Sequence, residues 1–367
     1  MKIAIYADRL ESGGGLETHV ITQVNELLRR GHSIFLSANA IAPDFLKMVN
    51  GDERVFRFEL FSNDPLKDLT DFRPDLIHTH PFSAIFRGHK VAAAIDVPLV
   101  ITIHGLYNFG VDRSPNGYPV AKKASKIISV DEVVEDLLRR SVAFPEKVLT
   151  IYNGINREEF YPDAADPTFI KELEIDATWK TVVAVSRLED NKEKPVMQLM
   201  DCAPLLAQHL HGLNLILVGD GAYRDIVWER NRNDIENCPN LKVCRMGRRT
   251  DISRFLHIAD LVLACSRAAI EAMACKRPVF AVSDKGYAGL ISRHNKEVIA
   301  GRTGYHWLND GELLEELYNA LLNEIHRKKA IKDGYEMIEE DYDIQKVTDK
   351  LEALYMEVLE TSKIIGG

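Results

Sequence analysis

The residues whose types and spacing could do chemistry fall just after short apolar runs. Gly13-Gly14-Gly15 follows the first run and precedes a helical pattern. Glycine lets a backbone approach a phosphate, and a helix start adds partial positive charge. A dinucleotide fingerprint would need a glycine three positions after Gly15, where Thr18 stands, and an acid about 20 residues on. The second apolar run instead ends in Ser37-Ala38-Asn39. A phosphate-facing loop and a purely structural turn both stay open, and dinucleotide binding is the weakest reading. Arg187 and Lys192 suit a diphosphate, Arg through its planar fork and Lys as a mobile point charge. A solvated loop is the alternative, because Glu189, Asp190, Glu193 and Lys194 are adjacent. Ser266-Arg267-Ala268-Ala269 feeds Ile270-Glu271-Ala272-Met273-Ala274. Small residues at a helix start leave backbone N–H groups for an anion. The Glu271 carboxylate could then accept hydrogen bonds from a ribose diol. Otherwise it is simply an acid placed favourably near a helix N-terminus, worth ~0.3–1 kcal/mol. His78, His80 and His104 could bind zinc, but no Asp/Glu pattern completes a catalytic metal site. A polar wall or acceptor contact is the favoured reading, and no metal is expected.

Positioning such residues requires a particular scaffold. β-branched runs alternate with helix-period stretches throughout. Strands are expected at 2–8, 33–38, 75–80, 99–104, 126–130 and 148–153, then at 181–186, 213–219, 242–246, 260–266 and 278–282. Helices are expected at 17–30, 131–141, 195–210, 251–259 and 344–362. This alternation implies parallel sheets built from βαβ units. The irregular stretch from Gly154 to Pro167 reads as a linker, since Pro162 and Pro167 interrupt regular structure. The expected layout is two Rossmann-like α/β domains, at 1–160 and 161–343, facing a central cleft. A last helix at about 344–367 should pack back on the first domain. Ligands bind outside the carboxyl ends of strands in open parallel sheets. That rule singles out Ser186, Gly221, Met246, Gly247 and Arg248 beside the residues named above.

The bulk numbers are permissive. A chain of 367 residues exceeds what one core usually supports. Its net charge of -9 opposes a general nucleic-acid role. Two basic clusters, Lys122/Lys123/Lys126 and Arg87/His89/Lys90, read as solvated surface or as a contact for anionic lipid or an acidic acceptor. Five cysteines without a CxxC pair suggest a reducing compartment. No apolar run approaches the ~18 residues that span a bilayer. A cytoplasmic location is expected, with any membrane contact peripheral, at the inner face.

Taken in order, these segments resemble the retaining glycosyltransferases of family four, which have the GT-B architecture. The matching segments are Gly13 to Val20, Arg30-Gly31-His32, Pro74 to His80, Thr102 to Gly105, Ile151 to Ile155, Ser186-Arg187-Leu188 with Lys192, and Leu217 to Gly221. The most specific is Ile270 to Ala274 followed by Arg277-Pro278-Val279. The resemblance implies that Arg187 and Lys192 neutralise the donor diphosphate and Glu271 holds the ribose. Backbone at Met246-Gly247-Arg248 would meet the base, Gly14 and Gly15 the phosphate or acceptor, and His104 the donor sugar. It further implies an acceptor-binding first domain, a nucleotide-sugar-binding second domain, and transfer with retention and without a metal cofactor. Donor identity does not carry over; a UDP-sugar is expected rather than a GDP-sugar. The acceptor is open, a lipid-linked glycan at the membrane surface or a soluble small molecule. Two departures stand out. A second glutamate usual eight positions before Glu271 is replaced by Leu263, and the intervening loop is short. The stretch Asp284 to Leu290, expected to be a loop, carries Tyr287 and Leu290 where a glycine and an acid are often seen. A nucleotide-sugar epimerase, an inactive sugar-nucleotide-binding protein and a histidine-metal hydrolase are the alternatives.

Overall fold

The structure is a computed structural model that describes residues 1–11, 14–42, 49, 55–59 and 67–366; Gly13 of the glycine run lies outside them. The chain divides into two compact units, Met1–Gly154 with Asp341–Gly367, and Ile155–Glu340.

In the first unit the strands are β1 (Lys2–Tyr6), β2 (Arg9–Leu10), β3 (Ser33–Ala38), β4 (Ala40–Ile41), β5 (Val55–Glu59), β6 (Leu76–Thr79), β7 (Leu99–Ile103), β8 (Ala124–Ser129) and β9 (Val148–Thr150). Seven of them form one sheet in the order β5-β3-β1-β6-β7-β8-β9, and every pair is parallel. Near-continuous apolar runs such as Leu99-Val100-Ile101-Thr102-Ile103 suit a sheet covered on both faces, and all five residues are buried. The helix Gly15–Arg29 follows β1 and buries His19, Val20, Gln23, Val24 and Leu27 along one stripe. The helix Ile344–Gly366 returns to this unit. Its Val347, Leu351, Leu354, Tyr355 and Val358 join Val20, Val24 and Leu27 in one core cluster. Each such buried side chain contributes about 1.5–3 kcal/mol.

The second unit carries β10 (Lys180–Val185), β11 (Leu213–Val218), β12 (Leu241–Gly247), β13 (Leu261–Ala264), β14 (Val279–Ser283) and β15 (Gly286–Leu290), in the order β12-β11-β10-β13-β14-β15. All pairs are parallel except β14–β15. The expected loop at 284–290 is therefore largely an edge strand. Tyr287 is fully buried there, and its hydroxyl donates to the Pro195 carbonyl at 3.1 Å and meets Gln198 Oε1 at 3.0 Å. It is a core residue with its polar end satisfied. Leu263 lies within β13, buried and paired with Ala184, so the loop before Glu271 is short in fact as well as in sequence.

Candidate functional site

The strand order of the second unit reverses between β10 and β13. Ligand sites in open parallel sheets form outside the carboxyl ends of strands at such a point. Ser186 and Arg187 leave β10 there, and the helix Ser266–Ala274 leaves β13. Ser186 Oγ donates to the carbonyls of Arg187 at 3.1 Å and Lys192 at 3.3 Å, folding the loop back on itself. Lys192 is half-buried at the start of the helix Glu193–Leu210. Arg187 is exposed and pairs with Glu189 at 3.4 Å.

Both cations bear electrostatically on Cys265, the residue before the Ser266 helix. Burial pushes its thiol up to about 11; Lys192, Arg302 and Arg187 oppose that rise and Asp284 adds to it. Three positive side chains therefore act on one helix start. Cys265 supplies no side-chain cap, so the orphan N–H groups of the first turn are not taken by it. Ala268 is half-buried. Ala269 is fully buried, and its N–H already bonds the Cys265 carbonyl at 3.4 Å. The turn before Ala269 is thus the part that can face an anion.

Glu271 lies one turn further on and is buried. Burial raises its carboxyl above the ordinary range, Arg267 opposes through charge and a hydrogen bond, and Glu159 adds to the rise. The Arg267 Nε donates to Glu271 Oε1 at 2.9 Å. Arg267 was not among the expected site residues, although its i, i+4 spacing from Glu271 was a legible signal. Arg302 and Cys265 carried none.

The loop after β11 lies directly against the loop after β10. A Cβ on Gly219 (φ +149°) would sit 1.8 Å from the Ser186 carbonyl oxygen, and one on Gly221 (φ +156°) 2.5 Å from that of Leu188. The carbonyl of Asp220 accepts from Leu188 N–H at 2.9 Å between them. These glycines bring β11 against the cation loop. On β12 the register slips between Leu217 and Val218, which pair with Arg245 and Gly247 and leave Met246 as the bulged residue. Bulges re-aim side chains beside functional sites. Arg248 beyond it is exposed.

In the first unit the order reverses between β1 and β6. Gly14 caps the helix Gly15–Arg29 with extended backbone (φ -79°, ψ 178°) and no side chain. His80 follows β6, His104 follows β7, and His19 stands in the second turn of the glycine-started helix. The histidine group expected from sequence needs correction. His78 does share a face with His80, their ring centroids 4.6 Å apart. Both of its nitrogens are occupied, however, Nδ1 with the Tyr355 hydroxyl at 2.6 Å and Nε2 with Thr102 Oγ1 at 2.7 Å. It is a satisfied core histidine. The third member of the group is His19, whose ring lies 4.9 Å from that of His104 and 5.7 Å from that of His80.

The basic clusters are partly neutralised. Lys123 pairs with Asp96 at 3.2 Å and Lys126 with Glu357 at 2.7 Å. Arg87 turns inward, donating to the Ala7 carbonyl at 2.7 Å. All five cysteines are free. Among the described residues no helix is long and apolar enough to cross a membrane.

Residues 13–159 match the family described as Glycosyltransferase Family 4, and residues 179–324 the family described as Glycosyl transferases group 1. The chain is a family-four-like glycosyltransferase. It is similar to the alpha-maltose-1-phosphate synthase of Mycobacterium tuberculosis, 28% identical over 143 residues, which cover 35% of this chain and 36% of that protein. The match thus spans only about a third of the relative's length. Among solved structures, the Anabaena HepE complex with UDP-glucose is similar, with a TM-score of 0.70 and 21% identity over 96% of this chain and all of that one. A glycosyltransferase from Rickettsia africae gives 0.75 at 18% identity, covering 98% of each chain. The UDP-GlcNAc 2-epimerase of Neisseria meningitidis, bound to UDP-GlcNAc, gives 0.60 at 14% identity, covering 97% of this chain and 100% of that one. These likenesses bear out the fold class: two parallel-sheet, Rossmann-like domains of the GT-B kind.

Proposed function

We propose that this glycosyltransferase moves a sugar from a nucleoside-diphosphate donor to an acceptor with retention at the anomeric carbon, and needs no metal ion to do so. The observation that carries this reading is the placement of Arg187, just past β10, and Lys192, at the start of the helix Glu193–Leu210, at the strand-order reversal from which the Ser266 helix also leaves. Cations beside a helix N-terminus that has no side-chain cap suit a diphosphate whose charge grows as the sugar leaves. They can take over the electrostatic task that a divalent cation performs elsewhere.

Arg187 and Lys192 bind the diphosphate. Glu271, held by Arg267, takes the ribose, and backbone around the Met246 bulge and Gly247 takes the base, with Arg248 beside it. Ser186, Gly221, Ala268 and Ala269 shape this pocket. His104 is assigned to the donor sugar, and Gly14 and Gly15 to the phosphate or acceptor end. A UDP-sugar is the favoured donor; the UDP-glucose complex of the Anabaena relative supports that choice. The acceptor is a soluble small molecule or a lipid-linked glycan met at a membrane surface.

A donor panel tests the proposal. UDP-, GDP- and ADP-sugars are incubated with the full chain, with and without chelator, and nucleoside diphosphate and product anomer are measured. The proposal expects UDP release that survives chelation and yields a product of unchanged anomeric configuration. Release that stops on chelation, or an inverted product, overturns it. Interconversion of UDP-sugars without acceptor would favour the epimerase reading.

A further inference from the structure

We propose that His19, His80 and His104 form a binding site in the first unit for a zinc-class transition-metal ion, separate from the donor chemistry assigned to the second unit. Each of the three offers one imidazole nitrogen, and these nitrogens all lie within 4.8 Å of one another. His80 Nδ1 and His104 Nε2 are already 2.9 Å apart. Zinc–imidazole bonds of about 2.0–2.1 Å place tetrahedral ligand atoms about 3.3–3.4 Å from each other. Small side-chain rotations reach that spacing from the observed one.

A second observation points the same way. His80 is wholly buried, and its Nε2 has no hydrogen-bond partner among the described residues. Ligation through Nε2 would give that orphaned nitrogen its partner, whereas ligation through Nδ1, the nitrogen facing His104, would place the ring proton on Nε2.

The chemistry of the set selects the ion. Three imidazoles and no carboxylate in the group favour Zn²⁺, Co²⁺, Ni²⁺ or Cu²⁺ over Mg²⁺ or Ca²⁺, which prefer oxygen. Three protein ligands leave a fourth position for water or another group. His104 is half-buried while the other two are buried, so the open side of the group is at His104. His78 stacks behind His80 with both nitrogens engaged and supports the ring without ligating. An ion held by His104 would withdraw that side chain from the donor sugar and inhibit transfer. This last consequence rests on the assignment of His104 made above.

The test titrates Co²⁺ into the metal-free full chain and reads its visible absorption. The expected result is equimolar uptake with the intense bands of four-coordinate cobalt, displaced by Zn²⁺. His19→Gln and His80→Ala should each weaken binding at least ~100-fold, since losing even an outer-shell partner costs about 10–100-fold. His326→Ala, an exposed control, should bind as the parent does. Weak six-coordinate spectra in the parent overturn the proposal, as do unchanged bands in a variant whose thermal melt is intact. If His80→Ala fails to fold, His19→Gln decides. Zn²⁺ is then added to the donor assay. Four-coordinate bands without inhibition uphold the site and overturn the His104 sugar contact instead.

Discussion

Arg187 and Lys192 differ in how they can act on one diphosphate. Arg187 stands in solvent on the loop after β10, whereas Lys192 is half-buried at a helix start. Lys192 should therefore matter most where charge develops. Lys192→Ala and Arg187→Ala are each expected to lower kcat for UDP-sugar turnover at least ~100-fold, the scale for losing a transition-state charge donor. Steady-state kinetics with nucleotide release as readout checks this, and full activity in both variants would remove the phosphate assignment. The two cations were legible because they sit just past a strand. Glu271 was legible through the Ile270 to Ala274 segment. His19 was not, because it lies inside a helix, away from any strand end, and only the fold brings it beside His80 and His104. Arg302 bears on the same helix start only through the fold.

Elements carry the next layer of prediction. The terminal helix is clamped to the helix Gly15–Arg29 by Arg30, which reaches Glu26 at 2.8 Å, Asp349 at 2.6 Å and Glu352 at 2.5 Å. Its Tyr355 bonds His78 inside the core. Tyr355→Phe leaves that buried nitrogen with one partner fewer and should cost about 1–3 kcal/mol, read as a lowered denaturation midpoint with an unchanged m-value. The clamp also sets an acid limit. Burial alone would raise Glu26 and Glu352, but Arg29 and Arg30 for the first, and His32 and Arg30 for the second, hold both below the ordinary carboxylate range. A depressed folded-state pKa stabilises above the unfolded value, and that stability is lost as pH falls through the folded one. The melting temperature of the first unit should fall below about pH 4.5, and Arg30→Gln should flatten the fall. At this scale the strands were easy to read where apolar runs are continuous. β15 was not, because Gly-Tyr-Ala-Gly-Leu carries two glycines and no β-branched residue, so it lacks local strand preference. The β14–β15 pairing and the buried Tyr287 make it a strand.

At the scale of the molecule, the two sheets repeat one plan, a parallel core whose strand order reverses once, with candidate site residues beside each reversal. The repeat was legible as a series of strands that restarts after Gly154. The first unit is nonetheless discontinuous, made of Met1–Gly154 and Asp341–Gly367. A chain ending at Glu340 would expose the stripe formed by Val20, Val24 and Leu27. Such a truncation should keep a cooperative melt for Ile155–Glu340 while the first unit loses protection from hydrogen exchange. Protection of β1 and β3 equal to that of the full chain would refute it.

That discontinuity has a consequence for how the protein is made. Chains are synthesised at about 5–20 residues per second, so the ribosome needs about 10–40 s to travel from Gly154 to the terminal helix. Through that interval the first-made half waits with an apolar seam open, and the later-made half, continuous in sequence, can close first. Nascent chains stalled before Ile344 should bind holdase chaperones through their earliest residues, and completed chains should let them go.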